Sequence, residues 1–245
     1  MDSFVSKIME LARPETLPEV PAKICWKAKL FGKYIIKTYY WEYYERESEK
    51  RVPFYLPYVF MQEHFDYLRR YAKVPRHQIH MVLIDDMDER IDYFLCEFLE
   101  KLNYLTIITE RKEYFESLQE RAFQELGLLI DLARPWEEKH LQGNMVWDFT
   151  AKLQRGDCYP DGSICFMPHK KVWKIREQLA ECRNITAVSV KNVEIKDWSI
   201  LPSLAETMLV PKKFPFRKSR LEELRRWCKE EKWKVKLKAR TLEKS

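Results

Sequence analysis

Apolar positions recur in a regular order between His77 and Val190. His80 to Asp85 (HMVLID) is a short apolar run ending in acid, after which Ile91, Leu95, Phe98 and Leu102 recur at helical spacing. The run reads as a strand and the stripe as one face of a helix. Tyr104 to Thr109 (YLTIIT) repeats the strand pattern, and Phe115, Leu118, Ala122 and Leu126 repeat the helical one. Gly127 to Leu132 (GLLIDL) then starts the cycle again, a period of about 24 residues. Strands that are apolar throughout are expected to be covered on both faces, as in a parallel sheet with right-handed crossovers. Met145 to Thr150 continues the series as a fourth strand. Pro160-Asp161-Gly162-Ser163 is a turn signal. It precedes a short strand at Ile164 to Met167, a helical stripe at Val172, Ile175, Leu179 and Cys182, and a last strand at Ile185 to Val190.

The flanks differ in kind. In residues 1–75, Pro14, Pro18 and Pro21 break the chain before a segment with eight aromatics between Trp26 and Tyr44. A hairpin and a helix both fit residues 24–44. Met61, Phe65, Leu68 and Ala72 give a helix leading into the first strand. This region is expected to form an aromatic-rich subdomain beside the α/β unit of residues 76–210.

Residues 211–245 hold 14 Lys or Arg against 5 Asp or Glu, a net charge of +9 against +6 for the whole chain. Ser219-Arg220-Leu221-Glu222 has the capping-box form and should open a helix with Leu221, Leu224 and Cys228 on one face. Lys232 to Lys238 (KWKVKLK) alternates strictly between lysine and apolar side chains. That is the pattern of an edge strand, where lysines also discourage aggregation. A basic helix-strand extension, packed on or near the sheet, is the expected arrangement.

Composition narrows the function classes. The chain has 245 residues, 46% hydrophobic and 33% charged, which suits a water-filled compartment and a sizeable core. Its longest uncharged stretch, Val52 to Gln62, is far shorter than the roughly 20 apolar residues of a membrane-spanning helix. The N-terminus has no apolar signal region, so the expectation is a cytoplasmic protein. Only five glycines occur, Gly32, Gly127, Gly143, Gly156 and Gly162, and no pair meets the spacing of a P-loop or of a dinucleotide fingerprint. No cofactor is expected on these grounds. The chain resembles degenerate Rossmann-like domains, a mostly parallel sheet with helices on both faces, that have lost the glycine fingerprint.

Acids and hydroxyls stand at the predicted carboxyl ends of the strands: Asp85, Asp86 and Asp88, Thr109 with Glu110, Asp131, and Asp148 with Thr150. In open α/β sheets that edge is where ligands bind. Glu110 holds the place of the acid that contacts a ribose hydroxyl in dinucleotide-binding domains. Capping explains the same residues, since Asp86-Met87-Asp88-Glu89 is a helix-start signal and Thr109 can cap the next helix. Asp86-Met87-Asp88 and Thr109 also resemble the first two motifs of haloacid-dehalogenase-like phosphotransferases. Glu89 and Arg90 depart from that family's pattern, and no Asp-Asp pair completes its magnesium site.

Cys158, Cys165, His169 and Cys182 could supply four zinc ligands, but none has the short spacing of a zinc knuckle. Free thiols are the reading preferred for them. In the tail, Lys212, Lys213, Arg217, Lys218, Arg225, Arg226 and Trp233 suit phosphate contacts with stacking, on nucleic acid or an anionic surface. The alternative docks the tail against the acidic remainder. Together these features lead to a binding, adaptor or regulatory protein with a protein partner and no catalysis of its own. The runner-up is a nucleotide or phosphometabolite enzyme or sensor that uses the acidic edge, with or without a divalent cation. Nucleic-acid or anionic-surface binding through the tail comes third.

Overall fold

The structure is a computed structural model, and it describes residues 55–137, 141–150, 158–168, 184–195, 198–200, 202–209 and 218–242. Residues 24–44, the stripe from Val172 to Cys182, His169, Lys212, Lys213 and Arg217 lie outside the described residues.

The predicted runs form a mixed α/β fold around one eight-stranded, mostly parallel sheet. Its elements are α1 (Leu56–Val59), α2 (Met61–Ala72), β1 (His80–Ile84), α3 (Arg90–Phe98), β2 (Tyr104–Ile108), α4 (Lys112–Leu126), β3 (Leu129–Ala133), β4 (Met145–Asp148), β5 (Ile164–Phe166), β6 (Ile185–Ile195), β7 (Trp198–Ile200), α5 (Pro202–Leu209), α6 (Lys218–Glu230) and β8 (Trp233–Leu242). The strands lie in the order β3-β2-β1-β4-β5-β6-β7, with β8 on the other side of β6. β1 to β6 are parallel, and β7 and β8 run antiparallel to β6. Strand order therefore reverses between β1 and β4.

Alternation along each strand divides the core into two. Met81 and Leu83 of β1, Met145 and Trp147 of β4, and Ile164 and Phe166 of β5 face the larger cluster. Val82, Ile84, Val146 and Cys165 face the smaller one. Every described helix contributes to the larger cluster, from Tyr58 of α1 and Phe65 of α2 to Leu209 of α5 and Leu221 of α6. Rings fill it: Phe65 stacks on Phe98 at 4.4 Å, and Phe94 meets Trp147 at 5.0 Å. The described cover of the second face is Cys158, Tyr159, Met167 and Leu141. Gly143 closes that side, because a Cβ there would lie 2.6 Å from Val82 Cγ2.

Several boundaries move for physical reasons. Gly127 ends α4 in the left-handed conformation (φ 65°), its own N–H and that of Leu128 turning back to the carbonyls of Phe123 and Ala122, so β3 starts at Leu129. Among the described residues β3 is an edge strand, and its Leu129 and Asp131 are exposed; it is not covered on both faces as an all-apolar run suggests. β6 runs on to Ile195, five residues past the predicted end, through an irregularity between Val190 and Asn192. The extra residue, Lys191, re-phases the alternation, so that Val188 before it and Val193 and Ile195 after it share one core. In the tail, α6 begins at Lys218, which puts Ser219 inside the first turn instead of before it. β8 pairs with β6 along its whole length and, among the described residues, forms the margin of the sheet, as the lysine alternation predicts. No described helix is long and apolar enough to cross a membrane.

Candidate functional site

The carboxyl ends of β1, β2 and β4 hold three polar clusters. The first joins β1 to β2. Asp85, with its side chain fully buried, accepts hydrogen bonds from the Thr109 hydroxyl at 2.8 Å and from Arg111 Nε and Nη2 at 2.8 and 3.0 Å. It also accepts the Met87 N–H at 3.0 Å, which holds Met87 in a left-handed conformation (φ 57°). Arg111 reaches on to the Asp88 carbonyl at 2.9 Å and lies 4.4 Å from the centre of the Tyr114 ring.

The second cluster lies in the β1–α3 turn. Arg90, only 4% exposed, pairs with both Asp86 and Asp88. Asp88 also accepts the Arg90 N–H at 2.9 Å, one aspartate serving both the backbone and the guanidinium of the same residue; the cap expected from Asp86 and Glu89 does not form, because α3 starts only at Arg90, with Glu89 at its N-cap and no capping side chain. Burial raises the Asp86 pKa; Arg90 opposes the shift, and the charges of Asp88 and Asp148 add to it. The Tyr58 hydroxyl of α1 also hydrogen-bonds with Arg90, and burial pushes its pKa well up.

The third cluster ends β4. Buried Asp148 accepts the Thr150 N–H and hydroxyl at 2.8 and 2.6 Å and the Tyr159 hydroxyl at 2.6 Å. The β1–β4 pairing sets Asp148 opposite Ile84, two residues before Asp86.

The remaining sequence candidates lie elsewhere. Glu110 is exposed. Asp131 is on the exposed face of β3, where its charge partly offsets the burial that lowers the His80 pKa. Thr109 also accepts the Arg111 N–H at 3.0 Å, just before α4. Cys158 and Cys165 are buried free thiols. The Cys158 thiol donates to the Pro135 carbonyl at 3.8 Å, and Cys165 lies 3.3 Å from the Ser163 hydroxyl. Among the described residues no group of three or more His, Cys, Asp or Glu is placed to hold a metal ion.

In the tail, Arg225 is tied down by Glu97 at 3.1 Å and by the Tyr58 and Val59 carbonyls, and Arg226 is exposed. Lys218 opens α6. Trp233 is 5% exposed against Trp227, which leaves it no face on which to stack a base.

Sequence reasoning missed Arg90, Arg111, Tyr58 and Tyr159. Arg90 had a local signal, an arginine four residues after Asp86 and two after Asp88. Arg111, two residues beyond Thr109, is joined to Asp85 only through the β1–β2 pairing. Among the exposed residues near the clusters are three large apolar side chains, Met87 at 59%, Tyr114 at 53% and Trp136 at 53%, with Glu89, Glu110 and Glu113 exposed among them. Arg111 lies over Tyr114, while Arg134 lies over Trp136 at 5.7 Å and pairs with Glu113 at 3.6 Å. Compared with protein-family models and with curated proteins, the chain matches none.

Proposed function

We propose that this protein works by binding another protein, as an adaptor or regulator built on a degenerate Rossmann-like domain, without catalysis of its own. The observation that carries this reading is the makeup of the carboxyl edge. Four of the acids there, Asp85, Asp86, Asp88 and Asp148, are held by the chain's own Arg90, Arg111, Thr109, Thr150 and Tyr159, while Tyr114 and Trp136 stand out under stacked arginines and Met87 is exposed on the β1–α3 turn. Methionine, aromatics and arginine are the residues enriched where proteins meet. The strand order 3-2-1-4-5-6 is that of doubly wound dinucleotide-binding sheets, which supports the Rossmann-like description and, by itself, names no ligand.

The test uses the full chain and a Met87→Ala/Tyr114→Ala/Trp136→Ala variant as baits. A stoichiometric partner retained by the first and lost by the second is the expected result. Turnover of a nucleotide or phosphorylated metabolite by the pure protein would overturn the reading.

A second reading takes the same edge as a ligand site, favoured by its place at the reversal of strand order between β1 and β4, where Asp148 stands opposite Ile84. It requires that an Asp86→Asn/Asp88→Asn variant stay folded and lose a ligand bound by the parent. Loss of stability alone, from taking both carboxylates away from the buried Arg90, assigns both aspartates to structure.

A further inference from the structure

We infer that the outer edge of β8 is a docking strand for an acidic, extended peptide segment of a partner, added to the sheet as its next strand. This extends the binding reading to a second surface. β8 is ten residues long and, among the described residues, pairs only with β6. Its other edge is a row of backbone donors and acceptors of the kind to which a further strand adds. Lys234, Lys236 and Lys238 lie on one face of it, roughly 7 Å apart at the rise of a strand, and all three are exposed. Trp233, Val235, Leu237 and Ala239 face the core.

Charge decides which strand fits. Opposite the three lysines, β6 presents Glu194, Asn192 and Ser189. Only one of these is acidic, and it is already engaged by Lys236 at 3.5 Å. A strand on the outer edge with acids at alternate positions would face the whole lysine row, and opposite charges across a strand pair attract. The same row rejects a second copy of β8, which would set lysine against lysine, so one feature selects the partner and guards against self-association. A nucleic acid fits less well, because the lysine-bearing positions of β8 include no ring on which a base could stack.

The test titrates the full chain into a labelled ten-residue peptide of alternating Glu and Thr, followed by fluorescence anisotropy. Two analogues carry N-methyl groups, one on every Glu and the other on every Thr, each blocking one hydrogen-bonding edge. Saturable binding is expected, weakened at least tenfold in one analogue and little changed in the other. A K234E/K236E/K238E variant should lose the acidic peptide and gain one of alternating Lys and Thr. Equal binding of both analogues and of a scrambled peptide would overturn the inference, and so would binding of a single-stranded RNA oligomer in place of the peptide. The peptide analogues need no protein variant, so they remain decisive even if the triple variant fails to fold. A flat titration removes the β8 surface and leaves partner capture through Met87, Tyr114 and Trp136 unaffected.

Discussion

Arg111 grips Asp85 with two parallel hydrogen bonds, Nε to Oδ2 at 2.8 Å and Nη2 to Oδ1 at 3.0 Å, and so ties the end of β2 to the end of β1. The paired geometry is the strong form of this contact. The buried carboxylate also takes the Thr109 hydroxyl and the Met87 N–H, so removing it strands four donors. Asp85→Ala is expected to cost on the order of 3 kcal/mol in urea unfolding. Glu110→Ala, at an exposed position on the same edge, should stay within about 0.5 kcal/mol. A cost for Asp85→Ala as small as that of Glu110→Ala would show that the pair does not hold the edge together.

His64 makes stability depend on pH. Its ring is buried against Phe166 at 4.5 Å, and its Nδ1–H donates to the Pro57 carbonyl at 3.0 Å. Nε2 has no hydrogen-bond partner among the described residues, so the neutral ring is the folded form, and burial pushes its pKa down to about 3. The unfolded chain takes up this proton near pH 6.5, the folded chain only near 3. Stability from this group is therefore complete above pH 6.5 and falls as the pH drops toward 3, by about 1.4 kcal/mol per unit for one proton. Urea midpoints between pH 7.5 and 4.5 should show that slope in the parent and a flatter one in His64→Phe. Equal slopes would remove His64 as the cause.

Met87 occupies a backbone conformation that suits glycine, and its side chain is 59% exposed. A left-handed residue with a Cβ costs about 1–2 kcal/mol, while glycine loses about 0.5–1 kcal/mol of chain entropy on ordering. Met87→Gly should therefore raise stability by roughly 0.5–1 kcal/mol, read as a shift of the denaturation midpoint. A fall of that size would mean that the methionine side chain contributes packing that its exposure conceals.

The thiols separate by burial. Cys96 is exposed, whereas Cys158, Cys165 and Cys228 are buried, and burial pushes the Cys228 thiol up to about 12. In the native protein Cys96 should alkylate quickly, and the other three only after denaturant is added, as read by peptide mapping. Fast labelling of Cys228 in the native state would contradict the docking of α6.

The parallel half of the sheet is legible because β1, β2 and β4 are buried on both sides, which writes them as unbroken apolar runs. β8 is legible because it is covered on one face only, and its lysines record the other. The second half of β6 is hidden by the bulge, since Lys191 and Asn192 interrupt the pattern where the strand continues. β7 and α5 are short and have no stripe long enough to read. At the carboxyl edge the acids are visible in sequence, but their partners are not. Arg111 finds Asp85 and Tyr159 finds Asp148 through contacts between segments that local spacing cannot record.

The pairing of β6 also orders events in time. Its longest partner is not the strand that follows it in the chain but β8, which arrives only after β7, α5 and α6. While the chain emerges, β6 can lean on β5 and still show a long open flank rich in valine. Pairings between such distant segments form slowly, and exposed strand edges are where nascent chains are captured or clump. For this protein the vulnerable interval is the one between completion of β6 and delivery of β8, and the folding helpers of the cell have most to do there.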